Sequence, residues 1–411
     1  MPRSNLLKKY ADLAVYVGAN VQPNQRVVVR SSTESTELAR AIAKSAYEAG
    51  AKRVRIDYAD PYASRIGYDG MSVETLQEVP EWLVQKYQED VDQGACLISI
   101  TSPIPEINKG VPAEKMQKAS MAAMKKMSFF REHTMGNRTQ WTIVAAANPE
   151  WAKKIFPDAS EADATEKLWD AIFNATRVYE DQDPKALWDA HNETLGSHNK
   201  VLNDYQFKHL HFKNSLGTDL IVELVKNHVW AGGQEHSTQG VAFNPNIPTE
   251  ESFTMPYKLG TRGKVYATKP LDYQGNLIDG FWLEFKDGKV VDYDAKAAKD
   301  ALTNILEFDE GARYIGEIAL IQHDSPIQNT GLLFYNTLFD ENASCHMALG
   351  RAYPMNVQGG TSMSQAELDQ AGANNSMTHV DFMFGSEDLD VTGVTHDGEE
   401  VPVMRNGNFV I

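Results

Sequence analysis

Apolar and polar residues along this chain follow two different rhythms, and the change of rhythm divides it. Residues 4–17 place Leu6, Leu7, Tyr10, Leu13, Ala14 and Val17 at helical spacing. Residues 26–31, R-V-V-V-R-S, read as a short β-branched strand, 36–49 as a helix closed by Gly50, and 53–58 as a second strand. A connection bearing proline and glycine leads to a helix at 81–93 and a strand at 96–101. A loop with three prolines at 102–112, a Met-rich helix at 113–132 and a strand at 140–147 follow. Strands alternating with helices predict an α/β domain with a parallel, doubly wound sheet. Met116, Met121, Met124 and Met127 share helical spacing, which is read as core packing.

From 148 to 203 the pattern is helical throughout, with Trp151, Trp169 and Trp188 as apolar anchors. Beyond it the segments shorten. Strands are expected at 210–213, 219–225, 264–267, 280–286 and 289–292, separated by turns at Gly217-Thr218-Asp219, Gly275-Asn276 and Asp287-Gly288. A helix at 295–306, a strand at 315–321 and short strands around Asp397-Gly398 and Asn406-Gly407 complete the chain. The expectation is two domains. Residues 1–203 form an α/β scaffold with a helical connector, and 204–411 form an α+β domain rich in antiparallel strands.

Length agrees with that division, since 411 residues exceed what one core usually organises. Lys plus Arg is 39 and Asp plus Glu is 56, a net charge of −17 that disfavours nucleic acid and anionic membranes as partners. Two cysteines, Cys96 and Cys345, make no disulfide framework. The first residues lack a signal peptide's apolar core, and no apolar run is long enough to span a bilayer, so the expected location is the cytoplasm. No G-x-G-x-x-G follows the first strand, which ends in S-S-T-E-S-T; the first sheet is therefore read as a scaffold.

Candidate chemistry concentrates in the second half. Residues 375–385, N-S-M-T-H-V-D-F-M-F-G, read as a strand with Val380, Phe382 and Phe384 on one side. Alternation puts His379 and Asp381 together on the other, roughly 7 Å apart at Cα. A charge there needs a partner, which is either a simple His–Asp pair or a divalent metal. Three further places carry ionisable groups. Glu250 and Glu251 lie between two prolines in N-I-P-T-E-E-S-F-T-M-P; by themselves they read as solvated loop carboxylates. Glu317 sits in the apolar strand Y-I-G-E-I-A-L-I beside Gly316, where another group has room to approach. Glu341 and His346 fall in L-F-D-E-N-A-S-C-H-M-A-L-G-R-A-Y-P at the expected start of a helix, on which Tyr353, seven residues on, shares a face with His346. The bland account of that segment is a capping acid and a packed histidine.

Glu251, Glu317, Glu341, His346, His379 and Asp381 make four carboxylates and two imidazoles. That exceeds the three protein ligands of a single catalytic zinc and suits two divalent ions about 3.5–4 Å apart. Zn²⁺, Co²⁺, Mn²⁺ and Mg²⁺ are all compatible. His209 and His211 alternate on a strand without accompanying carboxylates and are discounted, as are His191, His198, His228 and His236. Residues 359–362, G-G-T-S, are read as a flexible loop near the site.

The segments holding these residues resemble the thermophilic-type metallo-aminopeptidases, and the resemblance runs from end to end of the chain. It implies a co-catalytic metal pair on Glu251, Glu317, Glu341, His346, His379 and Asp381, with Glu317 bridging. It also implies Tyr353 at the reaction, a homodimer, and peptides with a free N-terminus as substrates. Ser252, Met255, Met347 and Phe384 depart from the family pattern without removing a candidate ligand. Glu250, the other half of the glutamate pair, is the candidate general base. Two rival readings stand beside this one. His346, His379 and Asp381 alone make an Fe(II) triad of a ring-cleaving oxygenase; alternatively, the metal is structural in a non-catalytic protein.

Overall fold

The computed structural model describes residues 2–273 and 276–411. The chain divides into two compact units, 1–190 with 234–248, and 191–233 with 249–411. The contact boundary thus falls inside the helix Pro184–Tyr205, ahead of the expected 203/204, and 234–248 returns to the first unit.

In the first unit four strands are parallel, in the order Arg53–Ala59, Arg26–Ser32, Cys96–Thr101, Trp141–Ala145. Val27, Val28 and Val29 are all buried, the continuous apolar run of a strand covered on both faces. The helix Thr36–Glu48 buries Leu38, Ala39, Ile42 and Ala46, and Gly50 at φ +91° ends it. Ser32, the last residue of the strand Arg26–Ser32, caps the turn Thr33–Ser35, its side chain accepting from the Glu34 N–H.

Several expectations need correction here. The helix expected at 113–132 is two, Ala113–Lys126 and Ser128–Met135, with a break at Met127. Met121 and Met124 are each 49% exposed, so they are not core residues. Helical spacing alone does not say what covers a face. Residues 148–203 form three helices, Pro149–Ile155, Glu161–Ala175 and Pro184–Tyr205. The connection before residue 81 contains two short helices, Pro61–Gly70 and Val73–Gln77, capped by Asp60 and Ser72.

The second unit packs two antiparallel sheets around one core. The larger has eight strands, in the order Lys289–Asp294, Trp282–Lys286, Pro256–Tyr266, Asp219–Leu224, His209–Lys213, Asp390–Val394, Glu400–Arg405, Asn408–Phe409. The smaller has four, in the order His379–Met383, His346–Gly350, Ile315–Leu320, Ser252–Thr254. Phe212, Leu220 and Leu283 of the first sheet and Ile318, Met347 and Phe382 of the second belong to one buried cluster with Leu302 and Ile305 of the helix Lys299–Leu306. The Asp287-Gly288 turn joins two strands as expected, with Asp287 at φ +50° and Gly288 at φ +79°. Gly275 of the expected Gly275-Asn276 turn lies outside the described residues.

Candidate metal centre

The small sheet gives its two faces opposite chemistry. Val380 and Phe382, Met347 and Leu349, and Ile318 and Leu320 enter the core. Their removal from water contributes about 2 kcal/mol or more for each large side chain. The alternate residues face the other way. Across the strands Ala348 pairs with both Glu317 and Asp381, and His346 with Ala319 and Met383. Directly paired residues share a face. The small side chain of Ala348 therefore leaves space between the two carboxylates. Two residues ahead of Phe253, which pairs with Ala319, Glu251 closes the group.

Oxygen and nitrogen atoms converge in that space. His346 Nε2 lies 3.3 Å from Glu251 Oε2 and 3.4 Å from Glu317 Oε1. His379 Nε2 lies 3.8 Å from Glu317 Oε2 and 3.4 Å from Asp381 Oδ1. Two groups of potential metal ligands result, Glu251–Glu317–His346 and Glu317–His379–Asp381, each with its ligand atoms within 4.8 Å of one another. Glu317 is common to both.

Each imidazole is held by its other nitrogen. His346 Nδ1 is 2.8 Å from the Glu341 carbonyl and His379 Nδ1 is 2.7 Å from the Arg351 carbonyl. A carbonyl only accepts, so Nδ1 carries the proton and, in the neutral ring, the Nε2 lone pair points at the carboxylates. Lone pairs facing one another at 3.3–3.4 Å repel unless a proton or a metal ion stands between them. Gly316 explains the second of these bonds. A Cβ there would come within 2.4 Å of the Gly350 and Arg351 backbone, so glycine is what lets that backbone approach.

Charge in the group is unbalanced. Burial pushes the Glu317 carboxyl up against the attraction of His346 and His379. Burial, with the charges of Asp381 and Glu251, holds Glu341 well above the usual carboxylate range. His379 is raised to about 9, since Asp381 and Glu317 outweigh the burial that would lower it, and His346 is raised through Glu251 and Glu317 against the same opposition. Asp381 stays low because His379 overcomes its burial. Among the described residues no Lys or Arg pairs with these carboxylates. Asp381 Oδ1 is buried with no hydrogen-bond partner among the described residues. Glu251, Glu317 and Asp381 of the two ligand groups, with Glu341 near enough to feel Asp381 and Glu251, are more acid groups than the two imidazoles can balance. The donor set therefore fits divalent metal.

Tyr353 arrives by a different route from the one expected. His346–Gly350 is a strand, all five residues buried, and no helix carries Tyr353. An apolar run this short reads equally as helix or strand, and pairing on both sides decided it. Gly350 at φ +109° turns the chain, and the Tyr353 ring comes to 4.7 Å from the His379 ring. Burial and the Glu317 and Asp381 charges raise its phenol. Glu250 stands apart from the two ligand groups. Its side chain, 1% exposed, is 3.7 Å from His191 Nε2, and its N–H donates to Asn342 Oδ1. His191, discounted from spacing, is thus a neighbour of the glutamate pair. His211 pairs with Asp219 at 2.6 Å, away from these contacts. The segment read as a flexible loop at 359–362 holds the short 3₁₀ turn Gly360–Ser362.

Beside the carboxylates opens a cavity of about 220 Å³, lined by Glu341, Asp381, Met383, Leu271, Leu333 and Tyr335 among others.

Residues 3–409 match the thermophilic metalloprotease (M29) family. The chain belongs to that family. Aminopeptidase 2 of Geobacillus stearothermophilus is 46% identical over 403 residues, covering 98% of this chain and 97% of that relative. AmpT from Thermus thermophilus superposes with a TM-score of 0.93 at 38% identity, over 100% of both chains. The family thus accounts for both the parallel sheet and the antiparallel second unit. A 2,5-dihydroxypyridine dioxygenase from Pseudomonas putida shares the fold alone, with a TM-score of 0.51 at 12% identity, over 100% of this chain and 98% of that one.

Proposed function

We propose that this M29 chain is an aminopeptidase that removes N-terminal residues from peptides with two divalent cations. The observation that carries this is the sharing of Glu317 by two ligand groups in a buried space with excess negative charge. Glu251 and His346 would hold one cation, and His379 and Asp381 the other. Glu317, common to both groups, would serve both cations, and Glu341, whose strongest charged neighbours are Asp381 and Glu251, would complete the set. When bound, such a pair supplies Lewis acidity, polarising a carbonyl and making water nucleophilic at neutral pH.

The remaining work falls to side chains. Glu250, one residue from Glu251 and tied to Asn342, takes the proton from water and returns it to the leaving amine. Tyr353, kept protonated by its surroundings, donates to the oxygen on which charge develops. A site carboxylate receives the free α-amine, which restricts cleavage to chain ends. The cavity next to Glu341 and Asp381 has room for one residue's side chain. The family resemblance extends the proposal to a cytoplasmic homodimer; among the described residues no helix is long and apolar enough to cross a membrane.

The iron reading uses His346, His379 and Asp381 and leaves Glu251, Glu317 and Glu341 uncompensated, so the observations favour the hydrolase. Exhaustive chelation is expected to abolish hydrolysis of an aminoacyl-nitroanilide, and Co²⁺, Mn²⁺ or Zn²⁺ to restore it with two ions per chain. Undiminished activity after chelation and dialysis would sink the proposal. One iron per chain would transfer the case to the oxygenase.

A further inference from the structure

The long helix Pro184–Tyr205 bears His191, Leu195, Asn199 and Asn203 at intervals of four, one stripe along its surface. Each of them meets backbone around the glutamate pair. His191 Nε2 is 2.8 Å from the Thr249 carbonyl and 3.7 Å from the Glu250 carboxylate. Leu195 packs against Gly233, where a Cβ would approach Leu195 Cδ1 to 3.0 Å. Asn199 Nδ2 donates to the Gly232 carbonyl at 3.1 Å. Asn203 donates to the Trp230 carbonyl at 3.0 Å and accepts from the Trp230 N–H at 2.8 Å.

The segment so fixed lies directly on Glu251. Ala231 exchanges both backbone hydrogen bonds with Phe253, at 3.0 and 2.9 Å. Gly232, at φ +134°, sits so close that a Cβ would fall 2.0 Å from the Glu251 carbonyl oxygen. Backbone on one side of Glu250-Glu251 is therefore held by Asn199 and Asn203, and backbone on the other by His191.

We propose that this helix stripe is a positioning clamp for the Glu250-Glu251 corner, with His191 and Asn199 as its working residues. Neither touches substrate; they set where the Glu250 and Glu251 carboxylates stand. The inference rests on the roles given above to those two glutamates. Removing a group that orients a ligand typically costs ten- to a hundredfold in metal affinity or activity.

The test is Co²⁺ titration by calorimetry, together with steady-state kinetics, on His191→Ala, His191→Gln and Asn199→Ala of the full chain. His191→Ala and Asn199→Ala are expected to weaken one Co²⁺ by about tenfold or more and to lower kcat comparably. KM should stay within about twofold. His191→Gln, whose amide can still donate to the Thr249 carbonyl, should recover most of both losses. Wild-type Co²⁺ affinity and kcat in both alanine variants would overturn the clamp, as would a fall in thermal stability alone. If the wild type binds Co²⁺ but cleaves no aminoacyl substrate, the proposed function fails while the titrations still decide the clamp.

Discussion

Asp57 and Asp90 in the first unit meet cations of the protein's own: Arg55 lies 3.0 Å from Asp57 and 2.5 Å from Asp90, and Lys86 lies 2.8 Å from Asp57. In the second unit Glu251, Glu317, Glu341 and Asp381 meet two imidazoles and one another. Both regions adjoin a four-stranded sheet, and both place acids in or near the interior. The first closes its charge balance with side chains. The second leaves it open, and an open balance in a low-dielectric space requires either protons or an imported cation. Charge compensation, more than the number of acids, separates a structural network from a metal centre.

The widest break between the two should come from Glu317→Gln. Removing the shared carboxylate is expected to lower kcat/KM at least a thousandfold, about 4 kcal/mol of transition-state stabilisation, with loss of bound metal. Glu250→Gln should lower kcat while metal content stays that of the wild type, as metal analysis and kinetics together would show. Retained activity in the Glu317 variant would remove the bridge from the centre.

A pH series on the chelated chain sharpens the comparison. Glu317, Glu341, His346 and His379 all have folded pKa values above their ordinary ones. Their protonated forms favour the fold, so the stabilisation is complete below the ordinary values and lost as pH rises through the folded ones. For His379 the window runs from 6.5 to about 9. Asp381, lowered, works in the opposite sense, at acid pH. The melting temperature of the metal-free protein should fall between pH 6 and pH 9, and that of the metal-saturated protein should stay nearly level. Parallel curves for the two forms would contradict the charge argument.

Arg55→Met should have the smallest effect. Asp90 is 4% exposed and would lose its bidentate partner, but Arg55 is itself about a third exposed, so the cost is on the order of 1–3 kcal/mol. Thermal melts with and without Co²⁺ should show the same loss, because this network balances its charge without metal.

Much of this was legible in the chain. The stretch His379-Val380-Asp381-Phe382 showed an ionisable face and an apolar face, and the pleat delivers both. Gly316 beside Glu317 announced a close approach, and the approaching group proved to be the Gly350-Arg351 backbone. The run from His346 gave no such guidance, since five consecutive buried positions carry no period. His191 was passed over because its contacts, with Thr249 and Glu250, are about sixty residues away in sequence.

By itself the sequence determined which residues carry charge, which strands have two unlike faces, and where glycine permits backbone to come near. Local chemistry and the two-residue period suffice for that. Only the tertiary structure decided that Glu317 stands between two imidazoles, that Tyr353 reaches His379 by a glycine turn, and that His191 sits behind the glutamate pair. Those relations depend on strand order and register, which are fixed by burying the common core and not by any residue's immediate neighbours.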